Sequence, residues 1–213
     1  MEAYLGDLGR DLLSAERTHW LSFNVAPRGG IDQERHLRDM LGQWIDGTTD
    51  PLHRLAQARE RFNAALSAIA GQPVYRTWDP ADQIAFVGLH MPTSSEQSEA
   101  DMQILTLAKG VIEYLDVKAL RRLPGADAKA ATINNLEGWV KHTSNDADTL
   151  VDPLRLLQNL RSNGAAHART KRWPGFLAAA GLAELKPDEQ FVQLMIGTTA
   201  ALEALAAHAE AQV

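Results

Sequence analysis

Apolar positions recur along this chain at three- and four-residue spacing from end to end, and strict alternation is nearly absent. Leu5, Leu8, Leu12, Ala15 and His19, with Trp20 and Phe23 nearby, predict an amphipathic helix over 3–23 that Pro27-Arg28-Gly29-Gly30 stops. That glycine pair lacks the spacing of a phosphate loop, and no strand precedes it. Leu37, Met40, Leu41, Trp44 and Ile45 predict a second helix over 33–46. Asp50-Pro51 opens a third, because the aspartate can accept first-turn amide hydrogens and the proline has none to lose. Its stripe is Leu55, Phe62, Leu66 and Ile69, and Gly71-Gln72-Pro73 ends it near residue 70.

The segment 74–92 supports two patterns. Asp79-Pro80 is another helix start, yet IAFVGL at 84–89 also fits a buried strand; a short helix is the expectation adopted. Pro92-Thr93-Ser94-Ser95 interrupts the apolar pattern and divides the chain into an N-terminal helical region, 1–92, and a second bundle, 93–213. Ser94 and Gln97 stand in capping-box spacing ahead of a long helix with the stripe Met102, Leu105, Ala108, Ile112 and Leu115, continuing weakly to Leu123 before Pro124-Gly125. A helix over 128–142 carries Ile133, Leu136, Trp139 and Val140. A short one over 176–182 and a closing one from about 188, with Phe191, Leu194, Met195, Thr198, Leu202 and Leu205, complete the pattern. The expected fold class is all-α, a multi-helix bundle of eight to nine helices with no substantial sheet.

Between them lies the stretch 152–173, DPLRLLQNLRSNGAAHARTKRW. Asp152-Pro153 repeats the start signal and predicts a helix to about 168. Drawn at roughly 100° per residue, Leu157, Leu160 and Gly164 share one face, with Arg161 and His167 on shoulders about 60° to either side of Gly164. Arg155, Gln158, Asn159, Ser162 and Arg169 fall on the polar side.

Composition narrows the function classes. The chain of 213 residues is 45% hydrophobic and 23% charged, ordinary for a globular protein, and it has no cysteine, which excludes disulfides and thiolate metal sites. No secretory signal is apparent, and no run of 18 or more apolar residues suggests a membrane span, so a cytoplasmic location is expected. The net charge of -6 argues against a general nucleic-acid coat. Over 151–175, however, Arg155, Arg161, Arg169, Lys171 and Arg172 face one acid, Asp152, a local +4 that leaves -10 for the remainder. A phosphate-bearing partner would meet the protein there; the alternative is a solvated helix end whose cations favour the dipole.

The phrase PLRLLQNLRSNGAAHA places five residues between Arg161 and His167 on a late helix beside this basic cluster. It resembles the Arg-x(4 to 6)-His signature of the HEPN superfamily (higher eukaryotes and prokaryotes nucleotide-binding domains). The likeness is motif-specific over about 150–173 and is compatible as topology from Ser94 onward; residues 1–92 carry no recognised resemblance. It implies an HEPN-like C-terminal half and a homodimer whose two motifs share one cleft. The implied activity is a metal-independent endoribonuclease acting on RNA, with Arg161 and His167 catalytic, in toxin-antitoxin or phage-defence biology with an antitoxin or other partner protein. No cofactor or metal is implied. Ser162 directly after the arginine departs from the Asn, Asp or His that active members often carry, with Asn163 one position later.

The residue chemistry is compatible with that role. Cleavage through the 2′-hydroxyl needs a group that titrates near neutrality, as histidine does, and a fixed cation for the phosphorane oxygens, as arginine provides. Gly164 would admit close approach of a partner backbone or substrate. With Ser162 and Asn163, and with Arg169, Lys171 and Arg172, it forms a candidate substrate-binding set, to which Trp173 would add base stacking. Two other accounts remain: an RNA- or nucleotide-binding module without catalysis, and a helical scaffold or dimerisation protein in which the arginine pairs with a carboxylate and the histidine with a backbone carbonyl or an acid. His19 and the His36–Asp39 pair lack companions at metal-ligand spacing.

Overall fold

The computed structural model describes residues 50–144, 147–165 and 171–212, together with residues 15, 16 and 19. The helices predicted over 3–23 and 33–46 otherwise fall outside it. Asp50 and Pro51 open α1 (Pro51–Ala70) as the sequence predicts: the carboxylate accepts from the Leu52 amide at 3.0 Å. Gly71, at φ +71°, turns the chain left-handed and ends the helix. Leu55, Phe62 and Leu66 are buried. They belong to the face that packs on α8 (Pro187–Glu210), the closing helix.

Two paired hydrogen-bonded bridges fix the register of that packing. Arg54 holds Glu203 at 2.7 and 2.6 Å, and Arg61 holds Glu210 at 2.8 and 2.5 Å. Both partners advance by the same seven residues, so α1 and α8 run parallel with a two-turn repeat. Among the described residues only α8 is long and apolar enough, by length and composition, to cross a membrane. Half of its most apolar window is buried inside the bundle, where Phe191, Leu194, Met195, Thr198, Leu202 and Leu205 contribute to the core.

The described residues contain eight α-helices and no strand, so the fold is all-α; one isolated bridge joins Tyr75 to Leu115. The ambiguous segment forms α2 (Pro80–Val87), with Asp79 capping the Ala81 amide at 2.9 Å. Helical geometry turns Ile84 and Val87 outward, at 73% and 79% exposure. Next come α3 (Gln97–Ala108), the single turn α4 (Val117–Leu120) and α5 (Thr132–Thr143). The start of α5 falls later than expected because the buried Asn135 orders the preceding loop, accepting from Asp127 N at 3.0 Å and donating to Ala130 O at 3.1 Å.

Three expectations are corrected. The division at residue 92 is not a boundary, because Thr48–Val213 forms one compact unit and α1 packs on α8. The cap of α3 is not the Ser94–Gln97 pair. Instead Glu99 reaches back to accept from Thr93 N and Oγ1 at 2.7 and 2.9 Å and from Ser94 N and Oγ at 3.0 and 2.6 Å. The buried stripe of α3 is Ala100, Gln103, Ile104, Leu107 and Ala108, which leaves Met102 at 64% exposure.

Candidate functional site

The Arg161–His167 stretch begins where α6 (Ala147–Leu160) widens into a π-helical turn, Arg161–Ala165. Because α6 starts at Ala147, Asp152 and Pro153 lie inside the helix rather than at its start, which corrects the third Asp-Pro prediction. The widened turn also voids the ideal-helix placement of Arg161 about Gly164, since a π-turn inserts residues out of phase with the 3.6-residue wheel. Leu157, Leu160 and Gly164 are nonetheless all buried.

A second π-helical turn, Lys109–Glu113, closes α3 in the same manner. Each turn contains a glycine under an aromatic ring. A methyl at Gly110 would stand 2.1 Å from Phe86 Cδ2, and one at Gly164 would stand 1.9 Å from Trp173 Cε3 and Cζ3. Every larger residue is excluded unless the ring moves. The α6 turn packs on α3, and Arg161 Nη2 meets Glu113 Oε1 at 2.5 Å. Both side chains are about one third exposed, at 36% and 35%. Arg161 Nε is buried without a hydrogen-bond partner. Around the pair lies a hollow of about 50 Å³ lined by Ala108, Ile112, Gln158 and Ser162.

The Lys109–Glu113 turn is itself pinned. Arg59 donates from Nε to Gly110 O at 2.9 Å, and its guanidinium lies 3.7 Å from the Tyr75 ring centre and 4.4 Å from that of Trp78. Burial among the rings lowers its pKa, while the ring faces attract the cation.

Compared with known proteins, the chain matches no family model, no curated protein and no solved structure.

The candidate substrate-binding residues separate in the structure. Ser162 is exposed beside Arg161, and the half-buried Asn163 donates from its amide to Asn159 O at 2.9 Å. Lys171 and Arg172 are exposed just before α7 (Trp173–Ala179). Trp173 is only 5% exposed, with its ring against Gly164, so it is a core residue in this arrangement rather than an open stacking platform. The close approach that Gly164 permits is made by Trp173 of the same chain. His167 and Arg169 lie outside the described residues.

Sequence reasoning missed the carboxylates that meet this basic stretch. Glu113 holds Arg161, and Glu137 of α5 bonds both Arg155 and Lys141. Lys141, with Arg155 beside it, holds the Glu137 carboxyl below the usual carboxylate range. Two cations of the basic run are therefore met by acids on other helices, and their charge is partly neutralised. Nothing local in the sequence marks either glutamate. Among the described residues no three His, Asp or Glu side chains converge as a metal site would require.

A larger groove, of about 470 Å³, lies between α6, α7 and α8. Leu156, Phe176, Leu182 and Leu194 supply much of its apolar lining, with Asp152, Arg155, Asn159 and Gln193 as polar groups.

Proposed function

We propose that the protein is an HEPN-type RNA-binding protein that cleaves RNA without a metal, with Arg161 and His167 as catalytic residues at a two-fold dimer interface. The observation that carries this reading is the position of Arg161. The motif arginine stands in a π-turn at a surface hollow, keeps about a third of its side chain open and has one N–H without a partner. π-turns are frequent at functional sites.

In the proposed reaction the 2′-oxygen attacks the adjacent phosphorus. His167 takes the hydroxyl proton as the O2′–P bond forms, and the P–O5′ bond breaks to leave a 2′,3′-cyclic phosphate. A second titratable group protonates O5′, and His167 of a two-fold partner supplies it. Arg161 donates to the non-bridging oxygens, where its permanent charge offsets the developing negative charge. Substrate phosphate displaces Glu113 from Arg161, so the resting ion pair keeps the site neutral until RNA arrives. The same resemblance supports a cytoplasmic setting in toxin-antitoxin or phage-defence biology with a protein partner.

The test is incubation of the purified chain with labelled single-stranded RNA in EDTA, beside Arg161→Ala and His167→Ala variants of unchanged circular dichroism. Cleavage by the parent that both variants lack is the expected result; cleavage that either variant retains would remove that residue from the mechanism.

The Arg161–Glu113 pair also favours a second reading, a non-catalytic binding or dimerisation module in which this arginine ties α6 to α3. RNA binding that weakens with salt, without cleavage, would select the binding form, and absence of both would leave the helical scaffold.

A further inference from the structure

The groove between α6, α7 and α8 supports an inference that stands apart from strand cleavage: among the described residues its lining does not include Arg161. Two of its lining residues are ones that helix interiors disfavour. Gly197 lies within α8, and Pro153 lies within α6, where it cannot donate to the carbonyl one turn back. A side-chain carbon at Gly197 would meet Pro153 Cβ at 3.9 Å, an ordinary contact distance. Packing therefore does not require a glycine there, in contrast to Gly110 and Gly164 beneath their rings. What Gly197 preserves is space, in a groove whose volume suits a small molecule.

The lining chemistry indicates the occupant. Phe176 of α7 is half-buried and offers an aromatic ring. Asp152 and Arg155, three residues apart on α6, put a carboxylate and a guanidinium in the same lining, and Arg155 is held by Glu137 and by Asn134 at 3.3 Å. Gln193 of α8 adds an amide. A flat ring with two adjacent N–H donors next to an acceptor matches this set. Guanine has that edge: N1–H and the amino group donate to a carboxylate, while O6 accepts from a guanidinium or an amide. Adenine presents a bare N1 that a carboxylate repels, and a pyrimidine covers less of an aromatic face.

We propose that this groove binds the guanine base of a nucleotide, either free or within an RNA strand. The test is calorimetric titration of the full chain with GMP, AMP and a trinucleotide with central guanine, using the parent, Asp152→Asn and Gly197→Leu. GMP should bind saturably and at least tenfold more tightly than AMP. Asp152→Asn should remove that preference, and Gly197→Leu should abolish binding with the circular dichroism unchanged. A trinucleotide that binds more tightly than GMP identifies a strand as the source, and equal binding identifies a free nucleotide. No binding of GMP, equal affinity for GMP and AMP, or an unaltered preference in Asp152→Asn would overturn the proposal. Asp152 is exposed, so this variant decides the matter even if Gly197→Leu fails to fold. Because Arg161 and His167 are untouched, failure here leaves the cleavage assay unaffected.

Discussion

Gly164 lies directly against the six-membered ring of Trp173, so close that a methyl on the glycine would stand 1.9 Å from two of the ring carbons. The contact locks the π-turn of α6 onto the start of α7 and buries the indole to 5% exposure. Gly164→Ala should therefore destabilise the fold by about 1–3 kcal/mol through overpacking. Trp173→Ala should cost about 3–5 kcal/mol through lost burial and a cavity. Urea unfolding followed by far-ultraviolet circular dichroism measures both, and an unchanged midpoint for Gly164→Ala would show that the ring has room to retreat.

Gly197 should behave in the opposite way. Its added carbon finds only Pro153 Cβ, at 3.9 Å. Gly197→Ala should stabilise the chain by about 0.5–1 kcal/mol, because alanine restricts the unfolded chain and suits a helix interior. The same urea titration checks the sign, and destabilisation would mean that the floor of the groove is tighter than its geometry indicates.

Glu113 should restrain Arg161 in the resting protein. Both groups are about one third exposed, so their pair contributes only about 0–1 kcal/mol to stability, and Glu113→Gln should leave the melting temperature nearly unchanged. Removing the competing carboxylate should strengthen RNA binding at low salt, an effect read by fluorescence anisotropy across a salt series. Equal affinity at every salt concentration would separate Arg161 from phosphate recognition.

Acid should loosen the start of α3. The Ser94 hydroxyl, with the Thr93 amide and the other groups of that turn, holds the Glu99 carboxyl down at about 2, against an ordinary value of 4.5. The folded pKa is the lower of the two, so the carboxylate's contribution is complete above pH 4.5 and is lost as pH falls from there through about 2. Amide hydrogen exchange over 93–100 should accelerate across that window in the parent. Glu99→Gln should exchange faster at neutral pH and lose this acid dependence; identical pH profiles would show that Glu99 does not govern this segment.

Short-range chemistry is legible in the order of residues itself. Asp50-Pro51 and Asp79-Pro80 open helices because an aspartate capping the amide two residues ahead needs only its own turn, and Gly71 ends α1 through its own φ. The stripes Leu55–Phe62–Leu66 and Phe191–Leu194–Met195 are equally readable, since each faces one core at a constant helical period.

Asp152-Pro153 carries the same start signal, but the tertiary structure begins α6 at Ala147, where packing outweighs the proline penalty. Met102 and Leu105 form a stripe as plausible as Ile104 and Leu107, and only the neighbouring helices select between them. The sequence by itself determined the all-α class, several helix starts and the concentration of basic residues around Arg161. Tertiary structure alone decided the π-turns, the burial of Trp173 on Gly164, the pairing of Arg161 with Glu113 and the groove at Gly197. Capping and periodicity act within a few residues of one helix, whereas these features depend on which distant helices meet and at what distance.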